Sequence, residues 1–178
     1  MAGIRHISCF VFLALLLGVL PCLAADRYTD ASVDQSGNLR IRTSNGRSII
    51  VPKEHDQEGF DHIAITEDGS AVGWVALYPN CCTSYPIPFK LIVYVNGKMH
   101  AFTGTGLPIW TWTFEADGKR VAFEEETVHG GFGVHYELHD VANGRLISQY
   151  DPAVGFDNQP LPNQTVPSWA ADLKVSQH

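Results

Sequence analysis

The feature of this sequence that most constrains its fold is an internal repeat. The run from Glu67 to Trp74 carries an Asp-Gly pair before an apolar stretch, and it recurs 49 residues later as Ala116 to Phe123. An Asn-Gly pair at Asn96 is likewise repeated at Asn143. A shorter trace at 39–50, with its own Asn-Gly turn, looks like the remains of an earlier copy. The chain is therefore expected to fold as copies of one small supersecondary unit.

Each unit predicts four short antiparallel strands. Asp-Gly and Asn-Gly pairs between apolar alternations favour tight hairpin turns, because glycine accepts positive φ there. The predicted strands are 63–66, 71–77, 91–95 and 99–102 in the second unit, and 109–114, 120–125, 134–140 and 145–150 in the third. No helical period appears between Asp26 and Tyr150. The sequence thus predicts an all-β fold of repeated four-stranded antiparallel meanders.

The order of turns and strands over about 63–150 resembles a known repeat. An Asp-Gly turn, a strand reaching Trp74 or Phe123, a third strand and an Asn-Gly-Lys/Arg turn are similar to the blade of TolB-type periplasmic β-propellers and their WD-like relatives. The resemblance implies blade-like sheets, of which propellers usually have four to eight. Since this chain has two full units and one partial unit, the predicted architecture is a partial propeller or a stacked, sandwich-like single domain, or a ring that several chains complete.

The first 24 residues have the three parts of a signal peptide. A basic start with Arg5 precedes an apolar run from Cys9 to Leu20, and a short exit ends at Ala24. The apolar run is shorter than the roughly 20 residues that a membrane span needs. We therefore predict cleavage near Ala24, export to the periplasm or secretion, and no stable membrane anchor.

The rest of the chain predicts one blade-like β-repeat domain at 25–155 and a Pro/Asn-rich tail at 156–178. Within that tail, 168–175 could form a short terminal helix. The formal net charge of −7 makes nucleic acid a poor partner. Expected partners are another protein, a small extracellular ligand or a second copy of the chain, and no cofactor is predicted.

Because successive strands of each unit run in opposite directions, the long loops are expected on one face of the domain. Binding residues usually lie on such loops. The loops at 78–90 and 126–133 occupy equivalent places in neighbouring units and are expected to lie side by side. Cys81 and Cys82 are the two cysteines that remain after signal cleavage, and an oxidising compartment favours a disulfide between them. That disulfide could be a loop staple or, flanked by Tyr78 and Tyr85, a platform for a ligand. Inter-chain bridges, a redox switch and metal binding are the other readings of this pair.

Histidine and tryptophan residues in the third unit are the remaining candidates. His135, Glu137 and His139 project from one side of a predicted strand, and the two histidines, about 13 Å apart, are too distant to share an ion. We therefore interpret this side as a solvated polar face and predict no metal site, although His129 or His135 could join the cysteines if these are reduced. Core packing is expected for the tryptophans of strand 109–114, of which Trp110 is nearer the loop face. The run 124–126, three glutamates, is interpreted as a solvated strand edge.

The sequence contains no nucleophile elbow, no His-Glu-x-x-His pair and no phosphate-binding glycine loop. Our leading hypothesis is an exported, non-catalytic binding or scaffolding domain. The alternative is a small exported hydrolase or metal-dependent enzyme that uses His129, His135 and acidic neighbours. The candidate ligand-binding residues are Tyr78, Cys81, Cys82, Tyr85, Trp110, His129 and His135.

Overall fold

The structure is a computed structural model that describes residues 27–115, 118–129, 133–155 and 161–175. These residues form eleven β-strands in three antiparallel sheets, with one short α-helix, which confirms the all-β prediction. The predicted signal peptide lies outside the described residues. The elements are β1 (Tyr28–Val33), β2 (Leu39–Thr43), β3 (Ser48–Val51), β4 (Gly59–Ile65), β5 (Ala71–Tyr78), β6 (Ile87–Val95), β7 (Lys98–Phe102), β8 (Ile109–Phe114), β9 (Arg120–Glu125), β10 (His135–Asp140), β11 (Leu146–Tyr150) and α1 (Ser168–Val175).

The three sheets are consecutive meanders, an arrangement compatible with blade-like units. The first sheet has the order β1-β2-β3, the second β4-β5-β6-β7 and the third β8-β9-β10-β11. The Asp-Gly and Asn-Gly turns have the positive φ that their glycines predict, as at Gly69 and Gly97. The first sheet is larger than the predicted trace, because β1 also belongs to it. The half-exposed, mostly polar pattern of β1 gives little periodicity from which to predict a strand.

Two apolar layers hold the three sheets together. One layer lies between the first and second sheets and contains Leu39, Ile41, Val51, Val72, Trp74, Ala76 and Ile92. The other joins the second and third sheets and contains Val75, Leu91, Val93, Phe102, Ile109, Trp112, Val121 and Phe123. Trp112 packs on Gly73, where an added Cβ would lie 2.4 Å from the indole ring, and its Nε1 donates to the His62 carbonyl at 3.1 Å. Core packing is thus confirmed for Trp112.

The terminal helix covers the outer face of the third sheet. Trp169, Ala170 and Leu173 of α1 form a buried cluster with Ala122, Tyr136 and Leu138. The helix spans the residues expected from the sequence, and its packing makes this part of the tail a component of the β domain. No described helix is long and apolar enough to cross a membrane.

Candidate functional site

A buried polar cluster lies between the second and third sheets, at the end of the sheets that carries the links 52–58 and 103–108. We call Glu125, His135, Glu137 and His139 the Glu125 cluster. Antiparallel pairing places Glu125 opposite His135 and Phe123 opposite Glu137, so β9 and β10 present these side chains on one face. Glu125 is fully buried, and the other three members are each 8% exposed.

The interpretation of this face as solvated is wrong. The imidazole of His139 stacks on Phe123 at 5.4 Å and meets the edge of Phe102, from the second sheet, at 4.7 Å between ring centroids. Helix α1 covers the opposite face of β10. Both faces of β10 are therefore buried, and the polar face points into the junction between two sheets. The first two glutamates of the run 124–126 are likewise buried rather than a solvated edge.

Glu137 is the centre of a hydrogen-bond chain along β10. Its Oε1 lies 3.2 Å from His135 Nε2, and its Oε2 lies 2.7 Å from His139 Nε2. His135 Nδ1 lies 2.6 Å from the Oδ1 of Asp151, which follows β11. One carboxylate therefore joins the two histidines.

Glu125 is held by the link between the second and third sheets. The backbone N–H and the hydroxyl of Thr105 both donate to Glu125 Oε2, each at 2.8 Å. Glu125 Oε1 is buried and accepts no hydrogen bond from the described residues. Gly104 has φ +49°, and a Cβ at that position would lie 2.1 Å from Glu125 Oε1. Only glycine lets this link approach the carboxylate so closely.

The surroundings change the pKa values of these groups in different directions. Burial raises the pKa of Glu125 despite the hydrogen bonds from Thr105. Burial alone would also raise the pKa of Glu137, but hydrogen bonds from His139 and His135 lower it below its usual value. Burial opposes charge on His135, yet Asp151 and Glu137 raise its pKa overall. The cluster thus places two buried carboxylates, Glu125 and Glu137, beside two buried imidazoles.

Three members of the cluster could hold a metal ion. Glu125, His135 and Glu137 each offer a ligand atom, and these atoms all lie within 4.8 Å of one another. Sequence reasoning found His135 but missed Glu125 as its partner. The signal that could have found it is the pairing of two predicted neighbouring strands, which brings Glu125 and His135 together.

The cysteine loop lies apart from this cluster and is exposed. Cys81 and Cys82 are thiols with their sulfur atoms 2.6 Å apart, so the disulfide stays a prediction. The Asn80 carboxamide accepts hydrogen bonds from the backbone N–H groups of Cys82, at 2.6 Å, and Thr83, at 3.1 Å, and so fixes the turn. The hydrogen bond between the two thiols raises the pKa of Cys82.

The residues that flank the cysteine loop, rather than those at its tip, hold it to the link 52–58. The Tyr78 hydroxyl donates to Glu54 Oε2 at 2.8 Å, and the Lys90 ammonium binds the same oxygen. Tyr85 and His129 are exposed. Residues 130–132 lie outside the described residues, and the expected contact between the cysteine loop and the His129 loop stays a prediction.

A cleft of about 900 Å³ separates the second and third sheets along strands β4 and β8. Trp110 is the one predicted site residue among the described residues that lines it, and its Nε1 donates to the Glu126 carbonyl at 3.0 Å. Each strand is the edge of its sheet. The lining consists of 62–67 from β4 and the turn after it, 110–115 from β8 and the residue that follows it, and Gly118.

Comparison with known proteins gives little further information. No protein-family description matches the chain, and no curated protein matches it. Among solved structures, it is similar to Kuenenia stuttgartiensis hydrazine synthase with a TM-score of 0.42 and 18% sequence identity. That match covers 71% of this chain and 34% of the hydrazine synthase chain, so this chain spans about a third of that chain.

Proposed function

We propose that this chain is an exported, non-catalytic binding domain that holds an extended segment of a partner protein between β4 and β8. The observation that carries the proposal is the position of two sheet-edge strands on opposite sides of one cleft of about 900 Å³.

The cleft offers backbone groups on both of its long sides. β4 pairs with β5 and β8 pairs with β9, while no strand in the described part of the chain pairs with their other edges. An unpaired strand edge is a template for an added strand, which gains affinity from main-chain hydrogen bonds. A segment of extended chain is the ligand that can use both edges.

The side chains of the cleft would supply the selectivity. Trp110 and Trp112 form an apolar wall on the β8 side, and His62 is exposed on the β4 side. The pairing of β4 with β5 shifts register between Asp61 and Ala64, and His62 has φ +45°. This bulge turns the His62 carbonyl toward Trp112, whose Nε1 donates to it.

Export and the repeat family belong to the same proposal. The tripartite sequence at 1–24 supports export to the periplasm or beyond the cell. The turn-and-strand pattern at 63–150 supports blades of the TolB or WD-like type. Mass spectrometry of the protein recovered from the exported fraction should find Ala25 as the first residue, whereas an intact amino terminus would contradict export.

The binding proposal can be tested by site-specific photo-crosslinking in the producing cells. We expect a photoreactive residue at Ile63, in the cleft, to form protein adducts. The matched control is Ile50, which lies on β3, the edge strand of the first sheet, and is exposed. A synthetic peptide of the cross-linked segment should compete with the partner and bind the Trp110→Ala variant more weakly. Equal adducts at both positions, or a peptide that does not compete, would contradict the proposal.

A further inference from the structure

We propose that Glu125, His135 and Glu137 bind one divalent transition-metal ion, with Zn²⁺ as the best-fitting ion. The site is separate from the cleft between β4 and β8, because none of these three residues lines that cleft. It goes beyond the binding function proposed above and stands or falls independently of it.

The spacing of the ligand atoms fits a small cation. The three atoms lie within 4.8 Å of one another, and His135 Nε2 and Glu137 Oε1 are 3.2 Å apart. Ligands bound to zinc at about 2.1 Å in a tetrahedral arrangement are separated by about 3.4 Å. The two ligands on β10 are therefore already at the required separation, and Glu125 needs only a small side-chain movement.

A second observation, independent of the clustering, points to a missing cation. Glu125 is fully buried, yet within the described part of the chain its Oε1 has no hydrogen-bond partner. A buried carboxylate oxygen without a partner is costly, because it has lost water and gained nothing in exchange. Coordination to a metal ion would supply the partner that Glu125 Oε1 lacks among the described residues.

Each proposed ligand already has its other polar atom fixed by an outer partner. Asp151 holds His135 Nδ1, His139 holds Glu137 Oε2, and Thr105 holds Glu125 Oε2. The remaining atoms are His135 Nε2, Glu137 Oε1 and Glu125 Oε1, of which the first two form the 3.2 Å hydrogen bond that coordination to an ion would replace. Outer partners of this kind orient metal-binding imidazoles and carboxylates in known metal sites.

The donor set and its burial indicate the class of ion and its role. One imidazole with two carboxylates suits Zn²⁺ and related transition metals better than Mg²⁺ or Ca²⁺, which prefer oxygen ligands alone. All three ligands are 8% exposed or less. An ion held by these three ligands would join β9 to β10 and keep one position of a tetrahedral site for a water molecule.

The test uses the full chain as it is purified after export, stripped with a chelator and titrated with Zn²⁺. We expect one zinc per chain by elemental analysis, a thermal midpoint raised by roughly 5 °C or more, and no comparable effect of Mg²⁺. Co²⁺ in place of Zn²⁺ should give the visible absorption of a low-symmetry site. Absence of stoichiometric zinc in the wild-type protein would overturn the proposal.

Variants distinguish this site from other zinc ligands. Glu125→Gln should weaken zinc binding by more than the roughly 10–100-fold that loss of an outer-shell partner costs. The controls Glu126→Gln, which changes the next residue, and the double change Cys81→Ser with Cys82→Ser should keep full affinity. Zinc lost with the cysteines and retained in Glu125→Gln would assign the ion to the thiols and refute the proposal.

A milder variant covers the case in which Glu125→Gln fails to fold. Asp151 is 64% exposed on its side chain, so Asp151→Asn leaves the core intact. We expect it to weaken zinc binding by roughly 10–100-fold, measured by titrating the metal-free form of the same variant. Unaltered zinc affinity in this variant would contradict the site, since His135 would then not be a ligand.

Discussion

In the second sheet Trp74 on β5 lies opposite Ile92 on β6, whereas in the third sheet the equivalent pair is Phe123 opposite Glu137. Both pairs face the preceding sheet and are buried. The first pair continues an apolar layer, and the second places a carboxylate in the same position. The same backbone unit therefore accommodates either an apolar pair or a buried carboxylate at this position, provided that the polar groups have hydrogen-bond partners.

The next position along the same strands sharpens the comparison. Ala76 opposite Lys90 in the second sheet corresponds to Glu125 opposite His135 in the third. Lys90 is met by Glu54 from the link 52–58, while Glu125 is met by Thr105 from the link 103–108. The second sheet thus carries its own cation and pairs it with a carboxylate. At the equivalent place the third sheet carries His135 beside two buried carboxylates, Glu125 and Glu137, and a bound metal ion would balance the additional carboxylate.

The largest expected loss of stability comes from removing the buried aromatic ring that each unit carries at the equivalent position of β5 and β9. Trp74→Ala and Phe123→Ala each remove a fully buried aromatic side chain, so we expect each to cost about 3–5 kcal/mol of the free energy of unfolding. Urea unfolding followed by circular dichroism measures this loss. A loss below about 1 kcal/mol in either variant would show that the two rings do not play equivalent roles.

The next effect tests the difference between the sheets. Glu137→Gln should cost about 3 kcal/mol in the metal-free protein, because His135 and His139 then lose the buried carboxylate between them. The matched change in the second sheet, Ile92→Val, removes one methylene and should cost about 1 kcal/mol. Equal losses, measured by urea unfolding, would mean that the polar cluster is no more tightly coupled than the apolar layer.

A third prediction concerns the link that closes over Glu125. Gly104→Ala should cost about 2 kcal/mol or more, because the added Cβ collides with the Glu125 carboxylate and the residue has positive φ. Gly106 is the control, since it has φ +89° and nothing within 4 Å of an added Cβ. Gly106→Ala should therefore show only the backbone cost of about 1 kcal/mol. If thermal unfolding shows the same loss of stability in both variants, the link 103–108 does not pack tightly against Glu125.

Much of the fold could be predicted from the sequence because its signals are local. The Asp-Gly and Asn-Gly pairs fix hairpin turns through glycine φ, and the apolar alternation between them gives eight strands close to those observed. The terminal helix was also predictable, from 168–175. β1 was not, because its residues are half-exposed and pair with β2 through backbone bonds that leave no pattern of side chains.

The candidate site could be predicted only in part because it depends on contacts between strands. Alternation correctly put His135 and His139 on one side of β10, where Glu137 lies between them. It could not say which side faces the second sheet, since α1 covers the apolar side from more than 25 residues away. Nor could the pattern of one strand reveal that Glu125 lies opposite His135.

The smallest expected effect is the pH dependence of the second sheet's ion pair. The hydrogen bond from Lys90, with that from Tyr78, holds the pKa of Glu54 below its ordinary value, so the pair stabilises the protein above that value. The stabilisation should be lost as the pH falls through the lowered pKa of Glu54. Since Glu54 is half-exposed, the loss is expected to stay below about 1 kcal/mol.

The variant Lys90→Met isolates this contribution from those of other carboxylates. Between pH 6 and pH 3, the thermal midpoint of the wild-type protein should fall slightly further than that of Lys90→Met, because the variant has no pair to lose. Tyr78→Phe is the matched control, since it removes one hydrogen bond to Glu54 and keeps the charge pair. Its pH dependence should lie closer to that of the wild type than to that of Lys90→Met. A thermal midpoint that falls equally in all three proteins would mean that the pair of Lys90 and Glu54 does not stabilise the second sheet. The contrast with the third sheet would then rest on the buried carboxylates alone.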